Sequence, residues 1–118
     1  MNIFVVTELL KLYNLEVHAA SNGRKAIEIV QRRIQEASMY RLILLDYSLG
    51  DTNGPEVAKT IRSLVTEHGG EQPYICCCTA YNGQSFEQEA YSAGMDYFIS
   101  KPVSKEMLVE ILQRAKYF

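Results

Sequence analysis

The stretch Leu42-Ile43-Leu44-Leu45-Asp46-Tyr47-Ser48-Leu49-Gly50-Asp51-Thr52-Asn53-Gly54-Pro55 decides the architecture. Its four leading apolar residues are too few for a helix and are bounded by turn formers, so they read as a strand buried on both faces. A carboxylate stands where that strand ends. In open parallel sheets ligands bind outside the carboxyl ends of the strands, which places Asp46 at the rim of a core and in reach of chemistry.

Working outward, the segments on either side alternate between helical and strand periodicity. Ile3, Phe4, Val6, Leu9, Leu10 and Tyr13 recur at helical spacing over residues 3 to 13, and Asn14 is a stop signal. Leu15 to Ala19 alternates like a half-buried strand, and Ser21-Asn22-Gly23 is a turn. A helix over Arg24 to Glu36 carries Ala26, Ile27, Val30 and Ile34 on one face. After the loop of residues 47 to 54, Pro55 suits a first helical position, and the stripe Val57, Ala58, Ile61, Leu64 and Val65 runs to Gly69-Gly70. Tyr74 to Thr79 is another continuous strand. A short helix over Ser85 to Ser92 is stopped by Gly94, and Tyr97 to Ser100 is the last strand, ended by Lys101-Pro102. Ser104 caps a final helix with Met107, Leu108, Ile111, Leu112 and Ala115 facing inward.

Strands alternating with helices of this length imply parallel βαβ crossovers and an α/β layered fold in one domain spanning residues 1–118. The chain has 118 residues, 47% of them hydrophobic, which suffices for a single core. A formal net charge of -2 gives no electrostatic reason to expect nucleic acid or a membrane surface as a direct partner. No apolar run approaches the ~18 residues of a span. The cysteines are consecutive, Cys76-Cys77-Cys78, and adjacent strand residues point to opposite faces, so they read as buried small hydrophobes in a reducing compartment. A cytoplasmic location follows.

The strongest strands end in Asp46, Thr79 and Lys101, which right-handed crossovers bring to one edge of the sheet. A carboxylate can attack phosphorus and become an acyl phosphate if positive charge and donors first bring two negative groups together. A lysine ammonium and a threonine hydroxyl can meet phosphoryl oxygens, and a divalent ion can bridge carboxylate and phosphoryl group.

Leu44-Leu45-Asp46, Asn53-Gly54, Thr79-Ala80, Ala93-Gly94 with Asp96-Tyr97-Phe98, and Lys101-Pro102 together resemble the receiver domain of two-component response regulators. Ala20-Ser21-Asn22-Gly23 and Asn2-Ile3-Phe4 fit the same pattern, so the resemblance covers nearly the whole chain. It implies a flavodoxin-like (CheY-like) doubly wound parallel sheet in three α/β/α layers. Asp46 would be the phospho-acceptor, supplied by a phosphohistidine on a sensor histidine kinase or histidine-phosphotransfer protein. Mg²⁺ would be held by Asp46 and the backbone carbonyl of Ser48. Thr79 would move toward the phosphoryl group, Lys101 would pair with it, and Phe98 would be the aromatic switch, with Tyr97 pointing to the other face. Lys101-Pro102 would be a cis peptide. Partners would read the last two helices and the strand between them, and the domain is expected to be a switch, not an enzyme, including as one part of a membrane-bound hybrid kinase.

Such domains begin with a buried strand and an acidic pair for Mg²⁺, which would precede Asn2. The expectation is a receiver without that first strand, at a cost of ~8 to 15 kcal/mol for about five buried apolar residues. Weak or absent phosphorylation follows from the missing acidic pair. Two rival readings stand beside this one. The first is a pseudo-receiver that docks partners without phosphorylation. The second is an aspartate-nucleophile phosphohydrolase of the haloacid dehalogenase type, which would need a second Asp where Ser48 stands.

Overall fold

The computed structural model describes residues 18–37, 40–79, 84–100 and 103–115. In chain order its elements are α1 (Gly23–Gln35), β1 (Leu42–Asp46), α2 (Gly54–His68), β2 (Tyr74–Thr79), α3 (Gln84–Ser92), β3 (Tyr97–Ser100) and α4 (Lys105–Arg114). The expected helix over residues 3–13 lies outside the described residues. So does most of the expected strand at Leu15 to Ala19, and its described part, His18 and Ala19, is not in a strand.

The described strands form one parallel sheet in the order β1-β2-β3. Leu42 pairs with Tyr74 and Asp46 with Cys78, while Cys76 pairs with Tyr97 and Thr79 with Ser100. Every strand therefore finishes at the same edge. The central strand β2 is buried along nearly its whole length, as a continuous apolar run covered on both faces should be.

Strand alternation sorts the side chains into two layers. On one face Leu45, Ile75 and Cys77 pack with Val30 of α1, Val57, Ala58, Ile61 and Val65 of α2, and Ala90 of α3, joined by the half-buried Phe98. On the other, Cys76, Cys78 and Ile99 meet Ile111 of α4, with Leu42, Leu44 and Tyr97 alongside. Helices thus cover both faces, giving the three-layer α/β/α arrangement of the flavodoxin-like fold. The cysteines divide between the layers and all three are free and buried. Phe98 and Tyr97 likewise take opposite faces. In α4, Leu108, Ile111 and Leu112 are buried, as is Ala115 just past its end, whereas Met107, expected to face inward, is only half-buried.

Polar ties hold the edge of the sheet where β2 and β3 begin. Arg62 of α2 donates from Nε to the Gly94 carbonyl at 2.8 Å, from Nη1 to the Pro73 carbonyl at 2.6 Å, and from Nη2 to Asp96 Oδ2 at 2.7 Å. The same Asp96 oxygen accepts the Ile75 N–H at 2.8 Å, and the Asp96 N–H donates to the Ile75 carbonyl at 2.7 Å. A planar guanidinium suits this task because its donors diverge in fixed directions.

Candidate functional site

The opposite edge is where the strands end. Asp46 is the last residue of β1, and the next N–H, of Tyr47, donates to the Cys78 carbonyl at 2.9 Å, so the pairing with β2 runs past the carboxylate. Thr79 closes β2 one residue beyond the partner of Asp46 and is 2% exposed. With parallel strands about 4.8 Å apart and a rise of about 3.3 Å per residue, the Asp46 and Thr79 backbones are about 6 Å apart. Ser100 pairs with Thr79 on the far side. Lys101 and Pro102, including the expected cis peptide, fall outside the described residues.

Burial raises the Asp46 carboxyl above the usual carboxylate range, and its Oδ1 is shut off from solvent. A half-desolvated carboxylate disfavours its own charge, and a cation or a bound proton relieves that cost.

The loop after Asp46 is a closed hairpin. The Gly54 N–H donates to the Tyr47 carbonyl at 2.7 Å, the Leu49 N–H donates to the Thr52 carbonyl at 3.1 Å, and Ser48 and Asn53 lie opposite each other between those bonds. In antiparallel pairing such a residue directs its own N–H and C=O away from its partner. The hairpin therefore uses neither main-chain group of Ser48, and the Ser48 carbonyl faces outward next to the end of β1. Gly50 turns the tip with a φ of 87°, in the left-handed region that glycine enters without strain.

Gly54 is demanded by proximity. A Cβ there would lie 2.5 Å from the Asp46 carbonyl oxygen, so the start of α2 rests directly on the backbone of the strand end. Asn53 caps that helix by accepting the Glu56 N–H at 2.9 Å. The Asn53-Gly54 pair thereby sets the height of α2 against Asp46.

Two further residues at this edge were not singled out as functional by periodicity or motif. Tyr47 donates its hydroxyl to Glu89 and packs edge-on against Phe86, with ring centroids 5.2 Å apart, so it ties the strand end to α3. Asp51 at the hairpin tip accepts the Gly23 N–H at 2.9 Å and the Arg24 N–H at 3.1 Å. The Gly23 amide first, then that of Arg24, holds the Asp51 carboxyl below the usual carboxylate range. No local signal points to this clamp, because its halves are 28 residues apart in the chain.

Asp46 and the Ser48 carbonyl are hard oxygen donors of the kind Mg²⁺ prefers, and they fit such an ion in chemistry and charge. They are few: among the described residues no group of three or more His, Cys, Asp or Glu side chains gathers as a metal site.

The family model for the response regulator receiver domain matches residues 1–113. This chain is a receiver domain. It belongs to the modules of two-component phosphorelay signalling. Hybrid signal transduction histidine kinase K of Dictyostelium discoideum is 28% identical over 119 residues, covering 98% of this chain and 9% of the kinase. The receiver therefore spans a small fraction of the length of that relative. Among solved structures, the receiver domain of sensor histidine kinase PA1611 from Pseudomonas aeruginosa, with magnesium in its active site cleft, superposes with a TM-score of 0.77 at 26% identity, over 96% of this chain and 86% of that one. The receiver domain of the Saccharomyces cerevisiae response regulator Ssk1, solved with the histidine phosphotransfer protein Ypd1, gives 0.79 at 26% identity, over 93% and 78%. Among the described residues of this receiver, no helix is long and apolar enough to cross a membrane.

Proposed function

We propose that Asp46 takes a phosphoryl group from a phosphohistidine on a sensor histidine kinase or a histidine-phosphotransfer protein. The observation that carries this reading is a partly desolvated carboxylate at the end of β1, one register position from the buried Thr79 that ends β2, within a chain of this family. The partner class is supported by the Ssk1 receiver, which was solved with such a phosphotransfer protein.

An Asp46 carboxylate oxygen forms the new P–O bond as the P–N bond of the phosphohistidine breaks, and the departing imidazole keeps the electron pair and takes up a proton. Thr79 donates its hydroxyl to a phosphoryl oxygen. Lys101, one residue beyond Ser100, supplies the ammonium that offsets the added charge. Asp46 and the Ser48 carbonyl would hold Mg²⁺, whose contribution when bound is to neutralise charge between carboxylate and phosphoryl group. Phe98, half-buried against the α3 layer, is the aromatic that changes packing when Thr79 moves. The acyl phosphate carries about two negative charges in place of the carboxylate's one, and this one added charge biases a two-state element through new hydrogen bonds.

Incubation with acetyl phosphate and Mg²⁺ followed by intact-mass spectrometry tests the reading. The wild-type chain should gain one phosphoryl mass in a fraction of its molecules, the metal donors among the described residues being few, and Asp46→Asn none; equal labelling of both, or labelling of neither, would sink it. A pseudo-receiver that docks partners without phosphorylation is the second reading, favoured by the small set of metal donors among the described residues. It predicts no labelling of either chain while a phosphotransfer protein still binds.

A further inference from the structure

We infer that Asp51 is a positioning residue for the Ser48 carbonyl: it fixes the tip of the hairpin after Asp46 against the start of α1, and so sets where that carbonyl stands. The inference rests on the reading of Ser48 as a metal ligand and deepens it.

The hairpin is anchored at its base and at its tip. At the base, the Gly54 N–H to Tyr47 carbonyl bond and the absent Cβ of Gly54 hold it against β1. Between base and tip the Leu49 to Thr52 bond keeps the two limbs together. Beyond that bond the tip is Gly50 and Asp51, both exposed, and glycine contributes no side chain that could hold it. Asp51 supplies the anchor. Both of its carboxylate oxygens are engaged by α1, Oδ1 by the Gly23 N–H and Oδ2 by the Arg24 N–H. These two amides belong to the first turn of α1, where backbone donors have no partner within the helix, and Asn22 already satisfies the Lys25 N–H at 2.9 Å. The Asp51 carboxylate thus completes the cap of α1 from outside the helix.

Contact reinforces the clamp. Gly23 is buried, and a Cβ there would collide with the Thr52 side chain, so the α1 terminus and the hairpin touch backbone to side chain with no room between them. Both Asp51 oxygens are engaged by α1 amides, so Asp51 enters this inference as an anchor of the hairpin and not as a ligand. Its influence on a metal at Asp46 is mechanical, transmitted through the Leu49 to Thr52 bond to the residue next to Leu49. Groups that orient a metal ligand from behind alter affinity without touching the ion.

The test uses Asp51→Ala and Asp51→Asn, with Mn²⁺ as the probe because its paramagnetic broadening of NMR signals detects weak occupancy. In the wild-type chain broadening should centre on Asp46 and Ser48. Asp51→Ala should raise the Mn²⁺ concentration needed for half-broadening about tenfold, the lower end of what outer groups contribute at metal sites. Asp51→Asn, which keeps one acceptor oxygen, should fall between. In the metal-free protein Asp51→Ala should also speed amide exchange at Leu49 and Gly54 as well as at Gly23 and Arg24, with exchange at Ile61 in α2 unchanged. Faster exchange confined to Gly23 and Arg24, with the Mn²⁺ midpoint unmoved, would overturn the inference and leave Asp51 as a helix cap only. Absence of broadening in the wild-type chain would instead refute the metal reading of Ser48, and the exchange at Leu49 and Gly54 would still decide whether Asp51 positions the hairpin.

Discussion

Replacing Gly54 by alanine should damage both stability and the strand end at Asp46, although alanine is the better helix former. The added Cβ would sit 2.5 Å from the Asp46 carbonyl oxygen, 3.3 Å from the Asp46 carbonyl carbon and 3.4 Å from the Tyr47 Cα. All of these are backbone atoms, so no side chain can swing aside. Relief requires α2 to lift away from β1, which stretches the 2.7 Å bond from the Gly54 N–H to the Tyr47 carbonyl. Overpacking of this kind costs about 1 to 3 kcal/mol. Restricting the unfolded chain returns about 0.4 to 1 kcal/mol. The net loss is centred near about 1.3 kcal/mol, a fall in melting temperature of roughly 5 °C for a domain of this size. Thermal unfolding followed by circular dichroism measures it, with Gly70→Ala as the control. There a Cβ would meet only the His68 side chain, at 3.6 Å, and the melting temperature should hold or rise slightly. A Gly54→Ala chain as stable as the control would refute the claim that the start of α2 bears on the backbone of Asp46.

Arg62→Ala should lose about 2 to 3 kcal/mol in urea unfolding, because the Gly94 and Pro73 carbonyls lose a charged donor in a partly buried place, whereas Arg24→Ala, which breaks an exposed pair with Glu28, should cost less than about 0.5 kcal/mol. With metal chelated, Asp46→Asn should raise the melting temperature at pH 7. Burial raises the folded-state carboxyl, so the ionised group opposes folding above that value, and the gain should vanish as pH falls toward the unfolded value of 3.8. A gain independent of pH would point to packing instead. Asp51 carries the opposite sign: its lowered carboxyl contributes stability above the ordinary carboxylate range that is lost as pH falls through the folded value, so in urea unfolding Asp51→Asn should lower stability at pH 7 and make the acid limb of the profile shallower. Cys76, Cys77 and Cys78 should resist a thiol reagent in the native state and react on unfolding, since all are buried and desolvation pushes the Cys77 thiol up to about 12. Rapid native labelling would show that β2 is not sealed on both faces.

The elements were legible because apolar runs and stop residues carry them. Leu42 to Asp46, Tyr74 to Thr79 and Tyr97 to Ser100 are strands from end to end, and the helices α1, α2 and α3 begin within a residue of where periodicity puts them. Asn53-Gly54 was legible as a motif, but its physical work, a cap on α2 and a bare Cα against the Asp46 carbonyl, depends on β1 lying beneath it. The carboxylate and the hydroxyl stood out because each ends a strand, and the register places them in neighbouring positions at one edge. Asp51, Tyr47 and Arg62 gave no comparable signal. Each reaches a partner at least 10 residues away, by a geometry that only the packed helices create. The alternation along β3 did foretell that Tyr97 and Phe98 part company; that Tyr97 lies under the Arg114 guanidinium, 4.3 Å from its ring centre, did not follow from it.

The Arg62 knot has a mechanical corollary. It stitches α2 to the segments entering β2 and β3, at the far end of the strands from Asp46 and Thr79. A plate riveted along one margin can splay only at the other. If Asp46 takes a phosphoryl group as proposed, the added charge is expected to tilt α3 and the end of β3 about the Gly94 to Asp96 rivet, with the displacement growing along the strand and fading toward its origin.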